Sequence, residues 1–563
     1  MGNSATHSDQ VTIADLTAVN ATPTTPKTTG VDLALLDAEL KNVKHDEKAR
    51  NPEEERQYPG PLKLAAILIS LYLSVFLVGL DQTILITAIP KITAKFNSIN
   101  DVGWYGSAYL LTLASFQLLF GRLYNLSVKS VFLTTVAIFE VGSLICGVAP
   151  NSVTLIVGRA IAGLGSAGIF SGALIIIAHS VPLERRPIYT TFIAAIWGLS
   201  AVIGPLLGGV FTDKVSWRWC FYINLPIGGL SILFIAAFFQ EPKLPASESM
   251  GLLKRLKTFD PIGCLLFIPA IICLLLALEW GGHRYPWNNG RIIALFVLFG
   301  VLIIAFGFVQ VWMGELATLP PRIVKNRNVW SSVLYAGPII CAFFTLLFYL
   351  PIWFQAIKGD NAVDSGVRLL PFIVASTVGS LIAGVLVQRT GYYNPFLIAG
   401  TILMATGSGL LTTFEPDISS SRFIGYQIIA GLGMGLGSQI PALAVQNALP
   451  MSDIPVGIVV ITFSQSVGGA LGVSIGNSLF VNNLVQNLET LVPSLDPHFV
   501  LSLGPTNLVA SIAADLLPGV YQSYNSAVVT AFHVSVVASV ITVLGALLIE
   551  WKKLSKSVDI HVA

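Results

Sequence analysis

The chain reads GLSAVIGPLLGG from Gly198 to Gly209, inside an apolar run that covers about residues 189–211. A run of this length is sufficient to cross the hydrocarbon core of a bilayer as a helix. Glycine and proline are poor residues for the interior of a soluble helix, whereas in a membrane they allow close helix packing and permit a bend. The stretch therefore predicts a membrane-spanning helix that packs tightly against a neighbour and can bend.

The composition of the whole chain agrees with a membrane protein. Of its 563 residues, 54% are hydrophobic and only 11% are charged, whereas soluble domains average roughly 25% charged residues. The mean hydropathy is +0.75. A net charge of +2 gives no indication of a nucleic-acid partner. The five cysteines form no Cys-x-x-Cys pair, so we predict neither a disulfide scaffold nor a zinc site. No other metal and no cofactor is expected.

Fourteen apolar runs are long enough to span a membrane, which predicts an all-α polytopic membrane protein. Residues 1–60 are polar, lack the apolar segment of a signal peptide and are predicted to form a disordered cytoplasmic tail. The predicted spans lie near residues 64–88, 103–122, 131–149, 153–179, 189–211, 221–239, 261–280, 291–313, 330–354, 366–388, 394–414, 422–447, 456–480 and 526–549.

The distribution of lysine and arginine predicts the orientation. With the N-terminus inside, 22 of the 32 basic residues are assigned to the tails and the inner side, 9 to the outer side, and only Arg159 to the membrane interior, away from the ends of a span. Because basic residues favour cytoplasmic loops, both termini are predicted to be cytoplasmic. The long loop 484–525 carries no lysine or arginine, which suits the outer side, and its leucines predict partial order.

Several short motifs lie at defined places relative to these spans. They are Leu80-Asp81-Gln82-Thr83 with Ala88-Ile89-Pro90 in span 1, Gly121-Arg122-Leu123-Tyr124-Asn125 with Lys129 after span 2, Leu155-x-x-x-Arg159-x-x-x-Gly163-x-Gly165 in span 4, Ser200-x-x-x-Gly204-Pro205-x-x-Gly208-Gly209 in span 5, and the run from Trp217 to Gly229 before and within span 6. Together the motifs resemble the major facilitator superfamily, and within it the 14-span drug:proton antiporters of fungi. The resemblance covers about residues 60–555.

The resemblance implies two six-helix bundles that rock about a central site in alternating access. A degenerate second copy of the loop motif, around Gly384, Arg389 and Gly391, fits such an internal repeat. The implied parts are a first bundle at 61–240, a linker with helices 7 and 8 at 241–320, a second bundle at 321–550 and a cytoplasmic tail at 551–563.

The loop motif departs from the pattern of the resembled family. That family has an acidic residue and a basic cluster that latch the inner gate, whereas here Asn125 stands at the acidic position. The basic cluster consists only of Arg122 and Lys129. We therefore expect Gly121, Arg122 and Lys129 to form an inner gate with a weak latch.

Three charged residues lie well inside the predicted spans, away from their ends. A charge at membrane depth costs about 3 kcal/mol or more, so it normally faces a cavity or a partner. The resemblance implies that Arg159 takes part in proton coupling; the alternative is an arginine that caps carbonyls or reaches the outer surface. Asp81 lies at a comparable depth, which makes an ion pair with Arg159 feasible, unless it is an interfacial carboxylate near Pro90. Glu140 is a second protonatable candidate, or a carboxyl that makes a buried hydrogen bond or faces an inner cavity.

In the resembled family, the run containing Gly204, Pro205, Gly208 and Gly209 is the antiporter motif and is associated with export; the alternative is simple tight packing. Amides mixed with aromatic residues suit amphipathic organic substrates, although interhelical packing is an alternative for each of them. The candidate substrate-binding residues are Gln117, Trp197, Gln439 and Gln465, with Tyr349, Trp353, Gln355, Gln446, Asn447 and Phe463 as further lining candidates.

These features predict a proton-coupled efflux transporter, acting as a monomer in the plasma membrane, for a fungal secondary metabolite, toxin or drug. The alternative is a 14-span siderophore or basic amino acid carrier of the plasma or vacuolar membrane. The run Gly431–Gly437 lacks the Gly-Lys-Ser/Thr of a nucleotide loop, and the spans hold no nucleophile constellation, so neither ATP use nor enzyme activity is expected. The expected partners are a small organic substrate, protons and the lipid bilayer, and no nucleic acid.

Overall fold

The computed structural model describes residues 58–96, 101–241, 260–282, 285–503 and 508–554. Most of the predicted N-terminal tail, most of the linker before helix 7 and the end of the C-terminal tail lie outside these residues. The described residues form fourteen long helices: α1 (Pro61–Phe96), α2 (Val102–Tyr124), α3 (Val128–Val148), α4 (Ser152–Ser180), α5 (Arg186–Lys214), α6 (Asn224–Phe238), α7 (Pro261–Trp280), α8 (Gly290–Met313), α9 (Arg327–Lys358), α10 (Leu370–Thr390), α11 (Asn394–Leu411), α12 (Ser420–Ser438), α13 (Ile454–Leu491) and α14 (Leu517–Leu548).

The predicted number of spans agrees with these helices. Thirteen of them are long and apolar enough to cross a membrane. In this count α6 includes the preceding helical turn Trp219–Tyr222, and α12 includes its continuation Ile440–Ala448. The fourteenth, α2, is equally long but carries Gln117, Arg122 and several small polar residues. It is less apolar because much of its surface contacts other helices rather than lipid.

Several helices extend beyond the predicted ends of their spans. The helix α13 continues to Leu491 and α14 begins at Leu517, so the loop predicted at 484–525 shrinks to 492–516. The hydropathy pattern marks only the part of a helix that lies in hydrocarbon, whereas polar residues can continue the same helix in water. The expected order of the loop is confirmed at Leu508, which is buried in the core of the second bundle.

Local capping chemistry explains where several helices begin. The side chain of Ser127 accepts a hydrogen bond from the backbone NH of Ser130 at the start of α3. Asn151 caps α4 in the same way through the NH of Thr154, at 2.9 Å. Such caps satisfy backbone donors that the first turn of a helix leaves free. They fix the turns between consecutive spans to a few residues.

The helices assemble as two six-helix bundles with an inserted pair. Buried apolar side chains of α1–α6 make up most of two clusters, and those of α9–α14 make up most of a third. Ile454 and Ile458 of α13 join one of the first-bundle clusters. The pair α7 and α8 packs beside the bundles through a small cluster in which Phe267 and Phe306 contact Leu118 of α2 and Val459 of α13. The inserted pair therefore touches both bundles.

The two bundles also touch each other directly. We call the face at which α1 begins and α14 ends the terminal face; the distribution of basic residues predicts that it is cytoplasmic. Near this face, Gly121 of α2 lies against Val456 and Val459 of α13. Gly384 of α10 similarly lies against Pro187 and Thr191 of α5. The bundles are thus closed against each other on the terminal side.

Candidate functional site

A buried ion pair lies inside the first bundle. The Nη1 atom of Arg159 on α4 lies 2.5 Å from the Oδ2 atom of Asp81 on α1, and both side chains are almost completely buried. Arg159 therefore turns into the bundle rather than reaching outward, and Asp81 is not an interfacial carboxylate. The structure brings together the two residues whose similar depth made an ion pair feasible.

Four further helical positions surround this pair. The Nε atom of Arg159 donates to the backbone carbonyl of Tyr105, at 2.8 Å, and its guanidinium lies over the ring of Tyr109, 4.5 Å from the centroid. On the other side, the side-chain amide of Asn224 donates to Asp81 at 3.3 Å and to the Ser143 hydroxyl at 3.1 Å. The first bundle thus holds its buried charge in a network drawn from α1, α2, α3, α4 and α6.

Glu140 lies on α3, one helical turn from Ser143, and its residue surface is 9% exposed. Both of its carboxyl oxygens are buried, and neither has a hydrogen-bond partner among the described residues. Across from it on α6 lies Gly228, where any Cβ would overlap the carboxyl group. The hydrogen bond considered for Glu140 from the sequence is therefore not made in this structure.

The glycine run that opened the sequence lies on α5 and packs against α1. Gly204 faces Thr83, and Gly208 faces Thr87 and the backbone of Ile84, with no room for a side chain. The helix continues through Pro205 without interruption. Gly209, by contrast, has no neighbouring atom within 4 Å of a built Cβ. Close packing of α5 on α1, the helix that carries Asp81, accounts for Gly204 and Gly208 but not for Gly209.

The predicted gate residues take different partners at the terminal face. The guanidinium of Arg122 donates to the backbone carbonyls of Glu315, at 2.8 Å, and of Ala317. Lys129 instead donates to the carbonyl of Ala236 at the end of α6, at 2.7 Å. Since α6 belongs to the same bundle as Lys129, this bond does not cross between the bundles. Of the two basic residues, only Arg122 contacts a segment outside the first bundle.

The segment that Arg122 holds is a strap, Gly314–Arg322, that follows α8. Arg322 in the strap pairs with Glu315 at 2.6 Å and with Asp453, at the start of α13, at 2.9 Å. The carboxylate of Asp260 accepts bonds from the backbone NH of Thr318 at 2.9 Å and from Gln310 at 2.7 Å. The strap is therefore bonded to the first bundle, the inserted pair and the second bundle. No sequence motif had indicated this role for Arg322, Asp453 or Asp260.

Arg186 precedes predicted span 5 and is one of the basic residues counted for the inner side, but it is buried rather than exposed in a loop. It opens α5 with 1% of its surface exposed. Its guanidinium donates to the carbonyls of Val181 at 2.9 Å and Ala178 at 2.7 Å, and lies 3.5 Å from the Oε1 atom of Gln446 in the second bundle. The arginine is buried because it caps the end of α4. Arg159 is thus not the only arginine within the packed helices.

Three of the four predicted substrate-binding residues lie where the bundles meet. Gln117 accepts a hydrogen bond from Ser466 of α13 at 2.9 Å. The ring of Trp197 lies 6.0 Å from that of Phe343 and 5.8 Å from that of Phe344. Gln439, at the break in α12, lines a small cavity together with residues of α5 and α10.

Gln465 and two of the further lining candidates make their hydrogen bonds within the second bundle. Gln465 donates to the carbonyl of Ser438 at 3.3 Å, within its own bundle. Tyr349 and Trp353 are fully buried in that bundle, where they bond to the Val473 carbonyl at 3.1 Å and to Asn525 at 2.7 Å. For these two aromatic residues, the structure shows the alternative of interhelical packing, because both side chains are buried among the helices of their own bundle.

Comparison with known proteins gives a consistent result along most of the chain. A sequence profile of the Major Facilitator Superfamily matches residues 71–473. The chain is 52% identical over 492 residues to the MFS-type efflux pump MFS1 of Trichophyton rubrum. The aligned region covers 87% of this chain and 92% of that protein. It is 47% identical over 506 residues to the efflux pump aflT of Aspergillus parasiticus, spanning 90% and 98% of the two chains.

Solved structures share the fold at much lower sequence identity. The human organic anion transporter MFSD10 superposes with a TM-score of 0.55 at 12% identity, covering 89% of this chain and all of that one, 100%. The proton:xylose symporter XylE superposes with a TM-score of 0.53 at 14% identity, covering 86% and 94%. At this distance the likeness concerns the helical architecture only.

Proposed function

This chain belongs to the major facilitator superfamily, and we propose that it is a proton-coupled exporter of small amphipathic organic compounds. A fungal secondary metabolite, a toxin or a drug would be a suitable cargo. Relatives that are named efflux pumps are 47% and 52% identical over nearly the whole of their length. Their names support export over the uptake of a siderophore or a basic amino acid. They also support a carrier rather than an enzyme.

The observation that carries the proton coupling is the buried pair of Asp81 and Arg159. Burying two charges costs desolvation free energy, and removing only one partner leaves an uncompensated charge. A buried ion pair is therefore weak evidence that its role is to stabilise the fold. A pair that separates during the cycle, however, leaves a carboxylate that can take up a proton and release it when the guanidinium returns. We assign Asp81 and Arg159 this role, with Glu140 as a second protonatable carboxyl.

The substrate would bind between the bundles. Gln117, Trp197 and Gln439 lie on contacts that join the two bundles in this state, and these contacts must open when the bundles rock apart. Amide and indole groups released in this way offer hydrogen bonds and apolar surface to an amphipathic molecule. We place Gln465 in the same site, as the member contributed by α13.

The antiporter run connects this movement to the ion pair. Thr83, which lies two residues from Asp81, donates a hydrogen bond to the Ser200 carbonyl of α5 at 3.1 Å. Gly204 lies against the same threonine, so α5 cannot bend or slide at Pro205 without moving α1. Gly208 extends the tight contact by another turn. Gly209 has open space beside it, which would leave room for α5 to bend.

On the terminal face, Gly121 and Arg122 would close the gate in this state, while Lys129 would fasten α3 to α6 within the first bundle.

We further propose that the terminal face is cytoplasmic, that the protein resides in the plasma membrane and that it works as a monomer. The bundles would move as residues 61–240 and 321–550, with 241–320 between them. Accessibility of an epitope at each terminus in intact cells and in permeabilised cells tests the orientation.

The central experiment uses purified full-length protein in liposomes. We expect an imposed pH gradient to drive uphill movement of an amphipathic compound, found by screening dyes such as rhodamine 6G together with fungal metabolites. A protonophore should abolish the uphill movement while it leaves downhill exchange intact. Uphill transport that persists without a proton gradient would overturn proton coupling. Accumulation of a nutrient by cells only when they carry the gene would overturn export.

A further inference from the structure

The interior of the first bundle holds an unbalanced set of charges. Among the described residues, the buried charged side chains away from its helix ends are two carboxyl groups, Asp81 and Glu140, and one guanidinium, that of Arg159. The guanidinium is already engaged by Asp81 at 2.5 Å. A second buried carboxylate without a counter-charge would cost many kcal/mol, whereas a neutral carboxylic acid costs far less. One proton on the pair of carboxyls makes the group neutral overall.

The hydrogen-bonding pattern indicates which carboxyl holds that proton. Asp81 accepts bonds from Arg159 and Asn224, as an ionised carboxylate does. Glu140 accepts none from the described residues. Donors therefore cluster around Asp81 and leave Glu140 without stabilisation of a negative charge.

The surroundings of Glu140 include a matching acceptor. The Oδ1 atom of Asn224 is buried and has no hydrogen-bond partner among the described residues. On α6, Asn224 lies one turn from Gly228, and Gly228 leaves room for the Glu140 carboxyl. On α3, Ser143 lies one turn from Glu140 and accepts a hydrogen bond from the Asn224 amide. One turn is about 5 Å along a helix, within the range that rotation of a glutamate side chain can largely cover. A protonated Glu140 would supply the O–H donor that Asn224 lacks.

The other titratable groups on the helices packed around Glu140 do not supply a counter-charge. The helix α6 carries none between Asn224 and Phe238. On the remaining neighbouring elements, the titratable side chains away from the helix ends are Tyr72 and Asp81 of α1, Tyr105 and Tyr109 of α2, Cys146 of α3 itself and Arg159 of α4, with Tyr222 before α6. The cations Lys63, Lys91, Lys95, Arg122 and Lys129, and His179, lie at or near the ends of these helices. In the described part of the first bundle, Arg159 is thus the single cation away from the helix ends that is available to both carboxyls.

We propose that Asp81, Glu140 and Arg159 form a unit that shares one exchangeable proton, and that Glu140 carries this proton in the present state. The proposal rests on the proton coupling proposed above and deepens it by naming the carrier. Loss of the proton turns Glu140 into a carboxylate that competes with Asp81 for Arg159. Uptake of a proton from water restores the acid and returns the guanidinium to Asp81. Each exchange moves one proton and leaves the arginine charged.

Infrared spectroscopy of the full-length protein in nanodiscs tests the proton inventory without any substrate. We expect the wild type at neutral pH to show the carbonyl band of a buried neutral acid, and Glu140→Gln to lose it. Asp81→Asn should also lose the band, because Arg159 then has only Glu140 to neutralise it. Arg159→Gln should raise the band about twofold, because both carboxyls then take protons. Glu279→Gln, at an exposed carboxyl near the end of α7, serves as the matched control.

Two results would overturn the proposal. An unchanged band in Glu140→Gln would show that Glu140 is not the proton carrier. A band that persists in correctly folded Asp81→Asn would show that the two carboxyls do not share the guanidinium. Folding of each variant is checked by size-exclusion chromatography. Failure of the wild type to use a pH gradient in liposomes would count against the proposed function alone, since the infrared assignment does not depend on transport.

Discussion

The two bundles repeat one packing frame but hold different chemistry. The sequence RAIAGLG at 159–165 of α4 returns as QIIAGLG at 427–433 of α12. The helix contacts return with it: Gly142 faces Ala162 in the first bundle as Gly407 faces Ala430 in the second. Gly79 likewise faces Ser200, and Gly337 faces Ser464.

This correspondence shows what each bundle has kept. Arg159 aligns with Gln427, and the equivalent contacts of α1 and α9 align Asp81 with Ile339. The Asn224–Ser143 bond has a counterpart in the hydroxyl pair of Ser408 and Ser535, at 2.8 Å. The small residues that set helix spacing are common to both bundles, whereas the ion pair is found in the first. Packing and proton chemistry are therefore separable, and the following substitutions test that separation.

The largest effect is expected where the first bundle loses half of its ion pair. Asp81→Asn removes the carboxylate in contact with Arg159 and leaves only Glu140, which does not touch the guanidinium, to balance its charge, so we expect a cost of about 3–5 kcal/mol of folding stability. The double variant Asp81→Asn/Arg159→Gln makes this region neutral, like the second bundle. It should recover most of the thermal stability but not gradient-driven transport. Melting followed by size-exclusion chromatography and liposome transport measure the two effects.

The ion pair would be a structural element after all if the double variant were no more stable than Asp81→Asn. Recovery of gradient-driven transport in the double variant would contradict the assignment of proton coupling to these residues.

An intermediate effect is expected at the shared glycines. A Cβ at Gly142 would lie 2.7 Å from the Cα of Ala162, and one at Gly407 would lie 2.6 Å from the Cα of Ala430. Alanine at either position forces the helix pair apart, which we expect to cost about 1–3 kcal/mol. Because the frame is repeated, the two losses in melting temperature should be similar.

Gly229 of α6 and Gly409 of α11 are matched controls, because nothing lies within 4 Å of a Cβ built on either. Alanine there should leave the melting temperature unchanged or raise it slightly. A large loss in one bundle alone would indicate that the frame is not equivalent in the two bundles.

The smallest effect is expected at Gln427, the position in the second bundle that corresponds to Arg159. Gln427 is fully buried, and neither its amide nitrogen nor its oxygen has a partner among the described residues. Replacement by leucine removes two unsatisfied polar atoms, so we expect Gln427→Leu to gain about 1 kcal/mol of stability. Arg159→Leu, at the equivalent position, should lose stability. A loss of stability on Gln427→Leu would show that the amide binds a partner, such as water.

Sequence alone was sufficient for the spans and for the pairing of Asp81 with Arg159. Hydropathy reports burial in lipid directly, and two opposite charges at one depth have few other partners. It was not sufficient for Tyr349 and Trp353, because hydropathy does not tell which face of a largely apolar helix points to the centre of its own bundle. Arg186 and the partners of Arg122 were missed because their bonds join segments far apart in the chain. The repeat QIIAGLG, by contrast, is visible in the sequence to a direct comparison of the two halves.

The contact between Arg122 and the strap has an evolutionary consequence. Its acceptors are the backbone carbonyls of Glu315 and Ala317, which every amino acid supplies. Point substitutions in the strap can therefore accumulate without removing the receiving atoms. An insertion or deletion of a single residue between α8 and Arg322 would shift both carbonyls out of reach. Selection on this closure should thus preserve the length of the segment more strictly than its residue types.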